Sequence, residues 1–233
     1  HDPAPLPLAI WSRWDAEWYL LIAERVYEAQ EVFADLAVPY EPWATAGFLP
    51  LYPLLIRALS PLLGGMGSGI LISNLCLAGA LALLFRLTAR MAPGAAGQRA
   101  GLAACAALLL HPMSLFLSAV YAESLFLLLT LATFDRSQAG RFGQASLCAA
   151  LASVTRPFGV LLALPILIAW WGRRRDPSRG HSLSLAWILL IPATLGAFML
   201  YTGRLFGDPM VFLSRQERWR GAMAGPWRAF TRW

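Results

Sequence analysis

An all-α fold threaded several times through a membrane is what this sequence predicts, and three observations predict it. Of the 233 residues, 58% are hydrophobic and only 14% are charged. Ordinary soluble domains run at about 45–50% apolar and about 25% charged. The chain also holds a series of apolar runs approaching the ~20 residues that a membrane helix needs. Threading those runs alternately gathers nine of the 19 arginines on one side. A soluble protein of this length would need charged stripes on its outer helices, and most of these helices lack them.

The 19 basic residues are all arginine, which reads as codon bias in a GC-rich, bacterial genome. The net charge of +6 does not point to nucleic acid, because no basic run is interleaved with aromatics on a soluble face. Cys76, Cys105 and Cys148 lie inside apolar runs and read as packing residues rather than a disulfide framework or metal site. The chain opens at His1 and closes at Trp233 in a polar stretch, with no visible signal peptide. The expectation is a single polytopic membrane domain over 1–233, incomplete at both ends.

The first element is a helix over 11–31. Placed at 100° per residue, Glu17, Glu24, Glu28 and Glu31 fall within about 60° of one another, a solvated stripe. Trp11, Trp14, Trp18 and Ile22 gather on the other side, as in a helix lying in the membrane interface. Asp15 projects with the tryptophans, roughly 160° from Glu17. A carboxylate on an apolar face is costly unless paired or used, and its burial would raise its pKa as a general base requires. The plainer alternatives are a helix N-cap or an ion pair with Arg13.

Residues 47–63 are apolar but hold Pro50, Pro53, Arg57 and Pro61, which predicts a re-entrant or interfacial helix, or else the first visible span. The glycine-rich stretch 64–69 lacks the lysine and strand of a phosphate-binding loop and reads as a flexible connector. Spans are expected over 70–87, 100–118, 125–134 extended back through Val120, 144–154, 160–171 and 183–201. Pro112, Pro165 and Pro192 predict broken or kinked helices among them.

This threading puts Arg86, Arg90, Arg99, Arg136, Arg141, Arg173, Arg174, Arg175 and Arg179 on one side, which is then cytoplasmic. The opposite side receives the acidic segment 11–45, Tyr121 to Ser124, Thr155 to Pro157 and the tail from Arg204 onward. A full crossing by 47–63 would invert the assignment. Glu123 is the one carboxylate between Gly101 and Phe134, and with Tyr121 and Ser124 it makes a polar notch between two apolar helices. Arg156 stands alone in the apolar stretch 145–171. An ionisable residue at such depth is a functional candidate by default, the plain alternative for Arg156 being interfacial snorkelling. His111, before Pro112, reads as a helix-end histidine.

The runs Arg13-Trp14-Asp15-Ala16-Glu17-Trp18-Tyr19-Leu20 and Gly47-Phe48-Leu49-Pro50-Leu51-Tyr52-Pro53-Leu54 carry a resemblance. So do Ser118-Ala119-Val120-Tyr121-Ala122-Glu123-Ser124-Leu125-Phe126 and Thr155-Arg156-Pro157. In order and spacing they resemble the PIG-V family of GPI mannosyltransferase II proteins, over roughly residues 11–160. The resemblance implies a GT-C-like helical bundle with its catalytic acid in the first non-cytoplasmic loop, here 11–45. It also implies transfer of mannose from a dolichyl- or polyprenyl-phosphate carrier to an acceptor hydroxyl on a lipid or glycan. A bacterial source would place the protein in the plasma membrane and a eukaryotic one in the endoplasmic reticulum.

A lipid-phosphate sugar brings its own leaving group, so the enzyme must deprotonate the acceptor and stabilise the growing phosphate charge. Asp15 is the candidate base and Glu17 a secondary one, able to turn inward only near a helix start. Arg156 is the candidate phosphate clamp, since a guanidinium grips phosphate oxygens in bidentate fashion. Glu123 would bind sugar hydroxyls or orient Arg156. Tyr121, Ser124 and Tyr52 are candidate substrate contacts, as are Gln216 and Arg218 of the tail. No residue cluster has metal-ligand spacing, and no cofactor is required; a divalent cation between Asp15 and a second carboxylate is the one metal arrangement the acids would allow. The competing reading is a transporter or lipid flippase, with Glu123 and Arg156 lining a path through broken helices.

Overall fold

The structure, a computed structural model, describes residues 11, 13–27, 44–173 and 183–214. Every regular element among these is helical. Asp15–Arg25 forms α1, Leu51–Ala89 α2, Gly94–Leu110 α3, Leu115–Ser118 α4, Glu123–Gln138 α5, Phe142–Ser153 α6, Ala163–Arg173 α7 and Leu190–Phe206 α8. Short 3₁₀ turns precede α4, α7 and α8.

The helix expected over 11–31 is confined to 15–25 among the described residues. Both flanks explain why: Trp14 (φ 55°) and Val26 (φ 58°) take left-handed backbone angles that L-residues adopt at a cost. Each costs about 1–3 kcal/mol and persists only where surrounding contacts enforce it. Trp11 and Trp14 therefore precede the helix instead of lying on its face. Glu17 and Glu24 are exposed as expected, while Glu28 and Glu31 lie outside the described residues. The buried face is Ala16, Tyr19, Leu20, Ile22 and Ala23. It packs on α2, and Arg57 donates to the carbonyls of Ala23 (3.0 Å) and Glu24 (2.9 Å) at the helix end. A cation there also meets the negative end of the helix dipole.

α2 joins two segments that the sequence separates. The connector expected over 64–69 is helical except at Gly64, whose φ of 68° and ψ of 164° break the helix. The chain folds back there. A straight helix would hold residues 52 and 69 about 25 Å apart, yet the Tyr52 hydroxyl reaches the Gly69 carbonyl at 3.0 Å and Ser73 Oγ at 2.7 Å. The proline-rich arm thus returns against the long arm that continues to Ala89. Only glycine takes this backbone cheaply. A Cβ at Gly64 would meet nothing within 4 Å, so Gly64→Ala is expected to lower stability by about 1–3 kcal/mol through the backbone alone. Thermal unfolding in detergent checks this, with Gly172→Ala, at an equally uncrowded helical glycine, as the control; equal midpoints would contradict it.

Two described helices are long and apolar enough to cross a membrane, Leu51–Ala89 and Leu185–Phe206, or three if Gly94–Leu110 and Pro112–Ser118 form one span bent by 77°. The break falls at His111-Pro112, where the His111 ring accepts the Met113 N–H at 3.2 Å, the helix-end role expected of it. Of the spans expected over 144–154 and 160–171, α6 has 12 residues, about 18 Å against a bilayer core of about 30 Å, while α7 with the 3₁₀ turn before it makes the longer apolar stretch Pro157–Arg173. Only 17% of the most apolar window of either long helix is buried inside the protein. The outward aliphatic side chains, among them Leu62, Leu75, Ile168 and Leu200, are left for lipid or further helices.

Two apolar cores hold the bundle. One joins α1, α2 and the 119–122 link to Phe198 and Phe212. The other joins α6 to Leu162, Ile166 and Ile191. Tyr19 sits edge-on to Phe48 and Tyr52, at ring-centroid distances of 5.1 and 5.0 Å.

Candidate functional site

Three segments remote in sequence meet at one end of the bundle. The Val120 N–H donates to the Trp11 carbonyl at 3.0 Å. The Tyr121 hydroxyl donates to the Arg13 carbonyl at 3.0 Å and accepts the Asp15 N–H at 3.3 Å. The Leu51 N–H donates to the Val154 carbonyl at 3.0 Å. Glu123 and Arg156 form an ion pair through Oε1 and Nη2.

Arg156 owes its place to a helix break. α6 stops at Ser153, and Pro157 opens the next 3₁₀ turn with Arg156 extended between them (φ −146°, ψ 140°). The break is tight: a Cβ at Gly159 would collide with the backbone of Ala152 and Ser153. Glu123 is the first residue of α5, and a carboxylate there meets the positive end of its helix dipole. The two side chains are 33% and 28% exposed, so the pair is accessible from one side. Glu123 Oε2 and Arg156 Nε are nonetheless buried without a partner among the described residues. Buried polar atoms are nearly always satisfied, so this pair holds unused hydrogen-bonding capacity.

Asp15 is half-buried in the first turn of α1 and Glu17 is exposed. The Asp15 charge acts on Tyr19, Tyr121 and Glu123, which puts it in one electrostatic neighbourhood with the Glu123–Arg156 pair. Burial, with Glu123 and Asp15 adding to it against Arg156, pushes the Tyr19 phenol well above its ordinary range. Tyr19 is therefore a neutral phenol packed beside these charges.

Three of the candidate contacts also bond within the scaffold. Tyr52 is fully buried, its hydroxyl taken by Gly69 and Ser73. The Tyr121 hydroxyl is taken by the backbone of Arg13 and Asp15, and so supplies the start of α1 with a partner that its own cap residue does not. Ser124 is fully buried and donates to the Leu117 carbonyl. In each case the backbone of a break or fold-back needed a partner. Gln216 and Arg218 lie outside the described residues.

Ser73 and Asn74 are additions. Ser73 Oγ donates to the Tyr121 carbonyl at 3.1 Å, and Asn74 Nδ2 to the Ser118 carbonyl at 3.0 Å, so α2 grips both sides of the notch. The signal was present, since they form the one Ser-Asn pair in the apolar run 70–87. Among the described residues no group of three or more His, Cys, Asp or Glu is placed to hold a metal ion.

A helical integral membrane protein, with a charged pair set into a notch at one end of its bundle, is the class that this fold and site define. The chain belongs to the mannosyltransferase (PIG-V) family, which matches residues 7–169, as the resemblance implied. It is 35% identical over 159 residues to a protein of Rattus norvegicus named GPI alpha-1,6-mannosyltransferase 2, covering 64% of this chain and 30% of that one. The Mus musculus protein of the same name is 34% identical over 184 residues, covering 75% of this chain and 33% of that one. The chain thus spans about a third of the length of the curated relatives it matches. No solved structure matches it.

Proposed function

We propose that the chain is the site-bearing part of a glycosyltransferase that moves mannose from a polyprenyl- or dolichyl-phosphate carrier to an acceptor hydroxyl. The observation that carries this reading is the meeting of α1, the start of α5 and the α6–α7 break, which brings Asp15 into the electrostatic neighbourhood of the Glu123–Arg156 pair. Family membership supports the reaction class and does not favour a transporter.

In this reading the acceptor oxygen attacks the anomeric carbon of mannose as the bond from that carbon to the carrier phosphate breaks. The acceptor proton passes to the Asp15 carboxylate, and the carrier phosphate leaves with the bonding pair. Its added negative charge falls to Arg156, held by Glu123 with Nε still unpartnered. Glu17 faces outward and stays a secondary acid. No step is assigned to a divalent cation.

The site faces away from the cytoplasm in this proposal. Support comes from Arg86, Arg90 and Arg136, which gather about Asp135 at the other end of α5 from Glu123. The arm over 51–63, folded back at Gly64, then acts as a re-entrant element beneath α1. The membrane is the plasma membrane of a GC-rich bacterium if the all-arginine composition decides; the rodent relatives lend that source no support.

The test is transfer by the full-length protein. It would be added to membranes from cells lacking it, with radiolabelled polyprenyl-phosphate-mannose and dolichyl-phosphate-mannose as donors. Protein-dependent labelling of a membrane lipid or glycan, matched by release of the carrier phosphate, is expected with one of them. Neither donor consumed, with folded protein present, would overturn the proposal.

A further inference from the structure

At the end of the bundle remote from Glu123, a second charged cluster has no part in the chemistry above. Asp135 is 4% exposed and sits among three guanidiniums. Arg86 Nη2 lies 2.6 Å from its Oδ2, Arg90 Nη1 3.2 Å from Oδ1 and Arg136 Nε 3.9 Å from Oδ2. Arg173 lies at the same end of α5, donating to the Gln138 carbonyl. Asp135 is twelve residues from Glu123 on one helix, about 18 Å along its axis. A sugar phosphate held at Arg156 does not reach it.

Snorkelling explains arginine heads lying at a membrane edge. It does not explain three of them converging on one buried carboxylate. Arg90 closes α2 one turn beyond Arg86, where like charges repel, and a single Asp135 offsets only part of that repulsion. Their side chains remain 44% and 57% exposed, and that of Arg136 36%. Asp135 thus gathers the three guanidiniums and leaves each side chain partly exposed at this end of the bundle. That geometry fits a phosphodiester, which takes charge-assisted bonds from several guanidiniums at once. In sequence, Arg174 and Arg175 follow Arg173 directly, adding charge where an anionic leaflet would attract it.

We propose that Arg86, Arg90 and Arg136, arranged around Asp135, with Arg173 at the same end of α5, form a binding seat for the headgroup of an anionic phospholipid, separate from the site at Glu123 and Arg156. The test is native mass spectrometry of the full-length protein released from detergent carrying phosphatidylglycerol or phosphatidylcholine. The wild type is expected to retain phosphatidylglycerol in preference to phosphatidylcholine. Arg90→Gln/Arg136→Gln is expected to weaken that retention by about fivefold for each arginine removed. This variant keeps Arg86, the tightest partner of Asp135, and an unchanged melting temperature confirms its fold. If it unfolds, Arg173→Gln, which leaves all three Asp135 partners in place, carries the same test. Arg204→Gln, in the last turn of α8 and outside the cluster, serves as the single-charge control, its loss compared with the loss per arginine removed from the cluster. Equal retention of both lipids, an equal loss in the control, or full displacement by inorganic phosphate would each overturn the proposal.

Discussion

Asp15→Asn is expected to lower mannose transfer by roughly 10²–10⁴-fold, the range that general-base catalysis contributes. Asparagine has nearly the same shape but cannot take the acceptor proton. The backbone should not move, because the Asp15 N–H is held by the Tyr121 hydroxyl and the Arg13 carbonyl by the same group. Loss of the first-turn charge removes a helix-dipole interaction worth about 0.3–1 kcal/mol. The defect should therefore fall on kcat, with KM for the lipid donor near wild type. Glu17→Gln is the paired control, since Glu17 is exposed in the same turn and should change little. Turnover by Asp15→Asn within a few-fold of wild type would remove Asp15 as the base; a larger loss in Glu17→Gln would transfer the role.

What the sequence made legible was chemistry where apolar background isolated it. Glu123 and Arg156 stood out because an ionisable group at membrane depth needs a reason, and the structure pairs them. Asp15 stood out by its place among tryptophans, although the helix begins only at that residue, so its position comes from the start of α1 rather than from a helical face. Bounds were less legible, because tertiary contacts decided them. Val26 takes a left-handed angle while Arg57 holds the carbonyls of Ala23 and Glu24, and no periodicity in 11–31 encodes Arg57. The glycines of 64–69 looked like a linker, yet one of them makes the fold-back and the others continue the helix. Tyr52, Tyr121 and Ser124 were found as polar residues near the site, but the sequence does not say whether a hydroxyl meets a ligand or a carbonyl. All three are buried, and each hydroxyl bonds to the backbone.

Arg156 and Glu123 can be separated by a double-mutant cycle that reads stability and turnover together. Arg156→Gln leaves Glu123 without its ion-pair partner, and truncating one member of a fully buried pair costs about 3–5 kcal/mol. The cost here should be smaller, because about a third of each side chain is exposed and water screens what it reaches. Adding Glu123→Gln removes the stranded charge, so the double variant should regain stability over Arg156→Gln alone. Turnover should not follow. If Arg156 takes the charge that grows on the departing phosphate, its loss costs roughly 10²–10³-fold in kcat, and neutralising Glu123 restores none of it. Glu123→Gln alone keeps the guanidinium and changes only its orientation, so its defect should be smaller than that of Arg156→Gln. A double variant that recovers turnover along with stability would make the pair a structural strut between α5 and the α6–α7 break, and the phosphate contact would have to be sought elsewhere.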